Sequence, residues 1–307
     1  MEKVIVVIGP TSVGKTKMGV ALAKKFNGEV ISGDSMQIYK QMDIGTAKVT
    51  EEEKEGIIHH CVDILNPDET YSVHDFQQTV RKKITEITQR GHVPIIVGGT
   101  GLYIKAALYD YQFDEMENDH HAINEKYKDY TNEQLHDHLK SIDEESAKIL
   151  HFNNRRRVLR AIEIYETTGK RKSEMLEEQE HICLYDAYFV GLTLPGDVLY
   201  ERINKRVDVM MENGLKEEMD CLYSQGLTRN HQSMKAIGYK EWFDYYDHQI
   251  DLNDVLELIK KHSRQYAKRQ YTWFKNQFDV HWYDVNLENF EQTIEQVTDD
   301  IEKILKV

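Results

Sequence analysis

The chain has 307 residues, of which 40% are hydrophobic and 30% charged, with four prolines and a formal net charge of −14. This composition excludes disordered, collagenous and low-complexity classes and leaves room for roughly two globular units, while an acidic whole still permits a basic binding face. Cys61, Cys183 and Cys221 lie too far apart for a CxxC-type zinc or redox pair, so a reducing compartment is the simplest reading.

Taken in chain order, the apolar run Val4–Ile8 reads as a strand and is too short for a signal h-region or a membrane span. No later segment reaches ~18 uninterrupted apolar residues. A soluble, cytoplasmic chain with no membrane partner is expected. An amphipathic stretch Lys15–Phe26, a strand Glu29–Ser32, a helix Val73–Arg90 and a strand Pro94–Gly98 complete an α/β rhythm that predicts a parallel sheet. From about Asp110 to His181 strand signals vanish and helical spacing takes over, in Asn132–Lys140, Glu144–Leu150 and Arg155–Thr168. Tyr188–Leu194 restores a strand, Leu199–Gly214 reads as a helix, and the remainder reads as mainly helical. The expected organisation is an α/β core of residues 1–109 and 186–307 with C-terminal helices, interrupted by a helical insertion over 110–185.

Charge is uneven. The segment from Asp114 to Glu145 is strongly acidic. From His151 to Lys172 seven basic residues face Glu163 and Glu166 (7 − 2 = +5), and from Val255 to Asn276 six face Glu257 (6 − 1 = +5), with Tyr266, Tyr271, Trp273 and Phe274 interleaved. Cations mixed with stacking groups suit a folded RNA with unpaired bases, although either segment alone also reads as a solvated helix face. The pairs His59-His60 and His120-His121, placed on helices, would point to different faces, and neither is assigned a metal.

The strongest motif is Gly9-Pro10-Thr11-Ser12-Val13-Gly14-Lys15-Thr16, a complete GxxxxGK[ST] loop between a strand and a helix. Such a loop turns backbone N–H groups and a helix N-terminus toward phosphate oxygens, adds the Lys15 charge, and offers the Thr16 hydroxyl to Mg²⁺. It implies diphosphate or polyphosphate binding without implying hydrolysis. An NTPase would follow with an apolar strand ending in Asp, but Pro94–Gly98 runs into Gly99, Thr100 and Gly101. That run fits either close approach of backbone to a ligand, with Thr100 supplying a hydroxyl, or a tight turn alone. The acidic candidate is Asp34, in Asp34-Ser35-Met36-Gln37-Ile38-Tyr39, which reads either as a general base or metal-side carboxylate or as a helix N-cap. Arg202 and Arg206, at i and i+4, form either a clamp on a diphosphate or a pair of surface cations. On these residues alone a small-molecule or nucleoside kinase that binds ATP, a non-enzymatic RNA-binding module that senses NTP, and a group transferase all remain open.

These segments occur in order with Gly98–Tyr103, Arg156–Arg160, Lys235–Lys240 and Lys268–Phe274, and together they resemble the bacterial tRNA dimethylallyltransferases (tRNA isopentenyltransferases, the IPP transferase family), from Val4 to about Lys275. The resemblance implies a P-loop NTPase-like fold. It also implies Mg²⁺-dependent transfer of a dimethylallyl group from dimethylallyl diphosphate to N6 of adenosine 37, beside the tRNA anticodon, with the target adenine extruded into a channel. It implies that Gly9 to Thr16 hold the diphosphate, with Thr16 at the metal, and that Asp34, Thr100 and Arg206 are catalytic. Contacts to the anticodon stem-loop are implied for Asp34, Ser35, Met36 and Gln37, for Arg156, Arg157, Val158, Leu159 and Arg160, for Lys235, Gly238, Tyr239 and Lys240, and for Lys268, Arg269, Gln270 and Trp273. A monomer is expected. The chain departs from the pattern in its acidic run Asp114–His121 and in lacking a basic RNA contact near Ala122 to Asn124. Up to Val307 it carries no Cys/His zinc module of the kind that eukaryotic relatives append.

Overall fold

In the computed structural model, which describes residues 1–111, 120–177 and 181–305, six strands form one parallel sheet in the order β3-β2-β4-β1-β5-β6. They are β1 (Lys3–Ile8), β2 (Gly28–Ser32), β3 (His59–His60), β4 (Val93–Val97), β5 (Asp186–Thr193) and β6 (His281–Asp284). β1 lies centrally, with Ile5 opposite Ile95 of β4 on one side and Tyr188 of β5 on the other.

Period-two alternation explains why a parallel sheet needs near-continuous apolar strands. In β1, Val4, Val6 and Ile8 enter one core and Ile5 and Val7 the other. The helices Val73–Gln89 and Gly101–Leu108 cover the first face through Phe76, Val80, Ile84 and Ile104. Lys15–Lys25 and Phe290–Leu305 cover the second through Met18, Leu22, Val297 and Ile301. Both faces are thus sealed, and ligands are left the edge beyond the strand C-termini, where β1, β2 and β4 deliver their loops.

The α/β fold class stands as expected. Two elements differ from the sequence reading. His59-His60 is a short edge strand paired to β2, not part of a helix, and the stretch read as mainly helical contains β6, four residues paired in parallel with β5. His120 and His121 begin the helix His120–Lys126.

The chain divides into two compact units, 1–109 with 183–305 and 110–182. The return to the first unit comes at Cys183 rather than at residue 186, because Cys183 bridges Tyr109 and Tyr185 packs into the first core. The second unit is helical among its described residues, its core built from Leu135, Leu139, Val158, Ala161 and Ile162. The acidic run at 114–119 lies outside the described residues, and Ala122 to Asn124 sit on the helix His120–Lys126.

Candidate active site

β1 ends at Ile8, and the next residues curl into the N-terminus of the helix Lys15–Lys25. Gly14 caps that helix at φ 101°, a left-handed conformation that disfavours any side chain, and a Cβ there would also lie 2.8 Å from the Phe290 ring. The Lys15 ammonium donates to the Pro10 carbonyl at 2.7 Å. Burial, seconded by the nearby Arg206 charge and opposed by Asp34, lowers its pKa to about 7. An anion entering this cavity would reverse that shift and draw the lysine into its charged form.

The loops after β2 and β4 are tied together beside it. Gly33 N–H donates to Val97 O at 2.8 Å and Thr100 N–H to Gly33 O at 3.2 Å. A Cβ on Gly98 would lie 2.4 Å from the Gly33 carbonyl, so only glycine permits this approach. The Thr100 hydroxyl accepts from Ser35 N–H at 3.1 Å and donates to Ser35 Oγ at 3.3 Å. Asp34 follows Gly33, and its Oδ1 accepts from Met36 N–H at 2.8 Å. No helix follows it: the next one, Glu51–Lys54, has Thr50 as its cap. The N-cap reading of Asp34 therefore falls, and its carboxylate closes a local turn at the cavity wall.

The far wall comes from the helix Gly196–Glu212. Both arginines of the i, i+4 pair reach the phosphate loop. Arg202 Nε donates to Ser12 O at 3.0 Å, and an Arg206 Nη lies 3.3 Å from Thr11 Oγ1 and 3.5 Å from Ser12 Oγ. A cavity of about 560 Å³ is lined by the loop residues Thr11, Ser12, Gly14, Lys15 and Thr16, by Asp34 and Gln37, and by Arg202, Lys205 and Arg206. A second of about 360 Å³ shares Thr11, Ser12, Asp34 and Arg206 with it and adds Met36, Ile203, Val207, Met210, Ile237 and Ile259. One chamber is rich in cations, the other has an apolar wall, and Asp34 and Arg206 belong to both.

The residues read as RNA contacts separate into two groups. Arg156, Arg157, Lys235, Lys240, Lys268 and Arg269 are exposed. Lys235, Lys240 and Arg269 also line the second chamber, and Lys268 and Arg269 line, with half-buried Trp273, an open groove of about 530 Å³. Arg157, Arg160 and Lys172 lie close enough that the two arginines, after burial, help lower the lysine's pKa. Arg160 pairs with Glu163 at 2.8 Å. Ser35 and Met36 are half-buried, and the Gln37 amide donates to Ala47 O at 3.2 Å.

Five residues of that set are buried. Val158 and Leu159 lie in the core of the helical unit. Gly238 and Tyr239 are buried, the Tyr239 hydroxyl donating to Glu218 Oε1 at 2.6 Å. Gln270 is 5% exposed and spends both ends of its amide inside the protein. The four side chains, and the Gly238 backbone with its N–H on Glu241 Oε2 at 2.9 Å, hold the elements that carry their exposed neighbours.

Sequence reasoning missed Glu218, and it singled out Tyr266 and Gln270 only as members of a segment read as facing RNA. The Glu218 carboxylate accepts from Asp43, Ile44 and Gly45 N–H at 2.8, 2.7 and 3.1 Å and so fixes the loop whose Thr46 and Ala47 line both chambers. No local pattern marks such a residue. Tyr266 lies one turn before Gln270 in a segment already singled out, and helical spacing was its available signal.

Among the described residues no group of three or more His, Cys, Asp or Glu is placed to hold a metal, and no helix is long and apolar enough to cross a membrane. The family description "IPP transferase" matches residues 37–277. A tRNA dimethylallyltransferase of Bacillus cereus (strain AH187) is 54% identical over 287 residues, covering 92% of this chain and 90% of the relative. A solved tRNA delta(2)-isopentenylpyrophosphate transferase of Staphylococcus epidermidis aligns over 99% of both chains at 47% identity, with a TM-score of 0.74. A solved eukaryotic dimethylallyltransferase acting on tRNA aligns over 99% of this chain and 79% of its own at 33% identity, with a TM-score of 0.86.

Proposed function

Given that the chain belongs to the IPP transferase family and transfers a dimethylallyl group to tRNA, we propose that the cation-rich chamber holds dimethylallyl diphosphate and that the chamber beside it receives adenosine 37 of the anticodon stem-loop. The observation that carries this reading is that Asp34 and Arg206 stand in the wall common to both chambers. N6 of adenine attacks C1 of the dimethylallyl group, the C1–O bond breaks, diphosphate leaves, and the N6 proton passes to the Asp34 carboxylate. The N6 lone pair is delocalised into the ring, so alignment and an adjacent acceptor matter more than a free anion. Arg206, Lys15 and the loop N–H groups meet the charge that gathers on the departing diphosphate. Thr100, bonded to Ser35, keeps the Asp34 turn in register with the attacking amine.

The oxygen donor offered here, the Thr16 hydroxyl beside a diphosphate, suits Mg²⁺, which takes few protein ligands and keeps several waters. Thr16 would hold it. When bound, Mg²⁺ supplies positive charge to the leaving group. A single copy of the chain is proposed to suffice, since Lys15, Asp34, Thr100 and Arg206 all belong to one unit. Three unpaired cysteines fit a reducing cytoplasm.

A kinase reading gives the apolar wall of the second chamber and the exposed cations of two helices no task. The RNA face is tested by Arg157→Ala and Arg269→Ala. Each is expected to weaken binding of unmodified tRNA and to lower the slope of log K against log salt by about one, the signature of one lost phosphate contact. A slope equal to that of the wild type would remove that arginine from the interface.

A further inference from the structure

Gln270 lies on the helix Leu252–Gln277, between exposed Arg269 and half-buried Trp273, yet its own side chain faces the phosphate loop. Its Oε1 accepts from Thr11 N–H at 3.0 Å and its Nε2 donates to Gly99 O at 2.9 Å. The Tyr266 hydroxyl, one turn earlier, donates to the same Gly99 oxygen at 3.3 Å. There is no slack at this joint: a Cβ on Gly99 would lie 2.2 Å from Gln270 Nε2, and one on Gly101 2.2 Å from the Trp273 ring. Gly99 and Gly101 flank Thr100. A chain of hydrogen bonds therefore runs from Arg206 through Thr11, across Gln270 to Gly99, and through Thr100 to Ser35 beside Asp34.

We infer that Gln270 is a positioning residue for the transfer, fixing the phosphate loop against the loop that carries Thr100 so that leaving group and proton acceptor stay in register. This inference rests on the prenyl-transfer reading of the site. The task needs a side chain of this length that both accepts and donates. Leucine does neither, and an ionised glutamate accepts from Thr11 but cannot donate to Gly99. Protonated, the glutamate carboxyl regains the donor; burial against the Gly99 carbonyl oxygen favours that proton and the Lys15 ammonium, which faces the same glycine, opposes it.

The test compares the full-length wild type with Gln270→Leu and Gln270→Glu at saturating dimethylallyl diphosphate and unmodified tRNA, so that kcat is read apart from binding. Gln270→Leu is expected to lose ten- to a hundredfold in kcat, on the order of what a small misplacement of reacting groups costs, while its tRNA affinity stays within about twofold of wild type. The ratio of Gln270→Glu to wild type is expected to rise at least about fivefold between roughly pH 8.5 and pH 6, a recovery that a space-filling role would not produce. Should Gln270→Leu fail to fold, the pH ratio of the near-isosteric glutamate variant decides alone. Near-wild-type kcat in a folded Gln270→Leu, or a flat ratio for Gln270→Glu, would overturn the inference. A wild type that transfers no prenyl group would instead remove the functional reading on which it stands.

Discussion

Replacing Asp34 by Asn is expected to lower the transfer rate by about 10²- to 10⁴-fold, the usual contribution of a positioned general base, with tRNA affinity and the KM for dimethylallyl diphosphate close to wild type. Asparagine keeps the side-chain oxygen that accepts from Met36 N–H at 2.8 Å, so the local turn persists. What it loses is a carboxylate able to take the N6 proton. The readout is kcat under saturating substrates, with binding measured separately by equilibrium titration of tRNA. A folded Asp34→Asn enzyme that turns over at near-wild-type rates would end the assignment of Asp34 as proton acceptor, leaving it a turn residue.

The second large effect belongs to Lys15. Lys15→Met is expected to raise the KM for dimethylallyl diphosphate and lower kcat, for a combined loss of about 10²- to 10³-fold, comparable to removing a principal donor from a charge-stabilising site. The pH dependence is more diagnostic. With its pKa lowered to about 7 in the free protein by burial and by Arg206, Lys15 is charged below that value and neutral above it. Binding a diphosphate favours the charged form, so above about pH 7 binding must take up a proton and affinity falls by up to about tenfold per pH unit. Lys15→Arg stays protonated throughout, so the profile of wild type divided by Lys15→Arg should fall above about pH 7. The ligand's own titration cancels in that ratio. Ligand-free stability runs the opposite way. Between about 7 and the ordinary lysine range the unfolded chain binds more protons than the folded one, so ligand-free stability should rise with pH across that window relative to Lys15→Met. A wild-type to Lys15→Arg ratio independent of pH would show that Lys15 is not the titrating group.

The parts of this site that could be read from sequence are those whose function is carried by contiguous residues. Gly9 to Thr16 needs its glycines, lysine and threonine at fixed spacing for one local purpose, and the strand before it and helix after it are stretches of ordinary length. The strand β4 with its glycine-rich end was legible for the same reason. What escaped was set by tertiary pairing. β6 is four residues after a 26-residue helix, too short for alternation to register, and it is a strand because Val190 to Thr193 of β5 offer it an edge. Strand β3 has two residues and depends on Val30 and Ile31 in the same way. For Asp34 the cap reading falls only with the absence of a helix directly after it, a fact of the fold that its local sequence does not carry.

The segments that the resemblance singles out carry Arg156, Arg157, Lys268 and Arg269 on exposed helix faces, but a motif does not say which of its members point inward. Val158 and Leu159 serve the core at helical spacing, and Gln270 is separated by 259 residues from the Thr11 amide it holds. Arg155, the first arginine of its run, donates to the Tyr130 and Tyr127 carbonyls at 2.6 and 2.7 Å and so anchors its own unit. Such long-range polar contacts leave no trace in local pattern, because the partner lies anywhere along the chain.

Transfer itself is tested most directly by incubation of the protein with Mg²⁺, dimethylallyl diphosphate labelled in its alkyl chain, and unmodified tRNA bearing adenosine 37, followed by nucleoside analysis. The expected result is label on N6 of that adenosine with an equal amount of diphosphate released. Label that stays out of the RNA, with the phosphoryl group of added ATP moved to a small molecule instead, would contradict it.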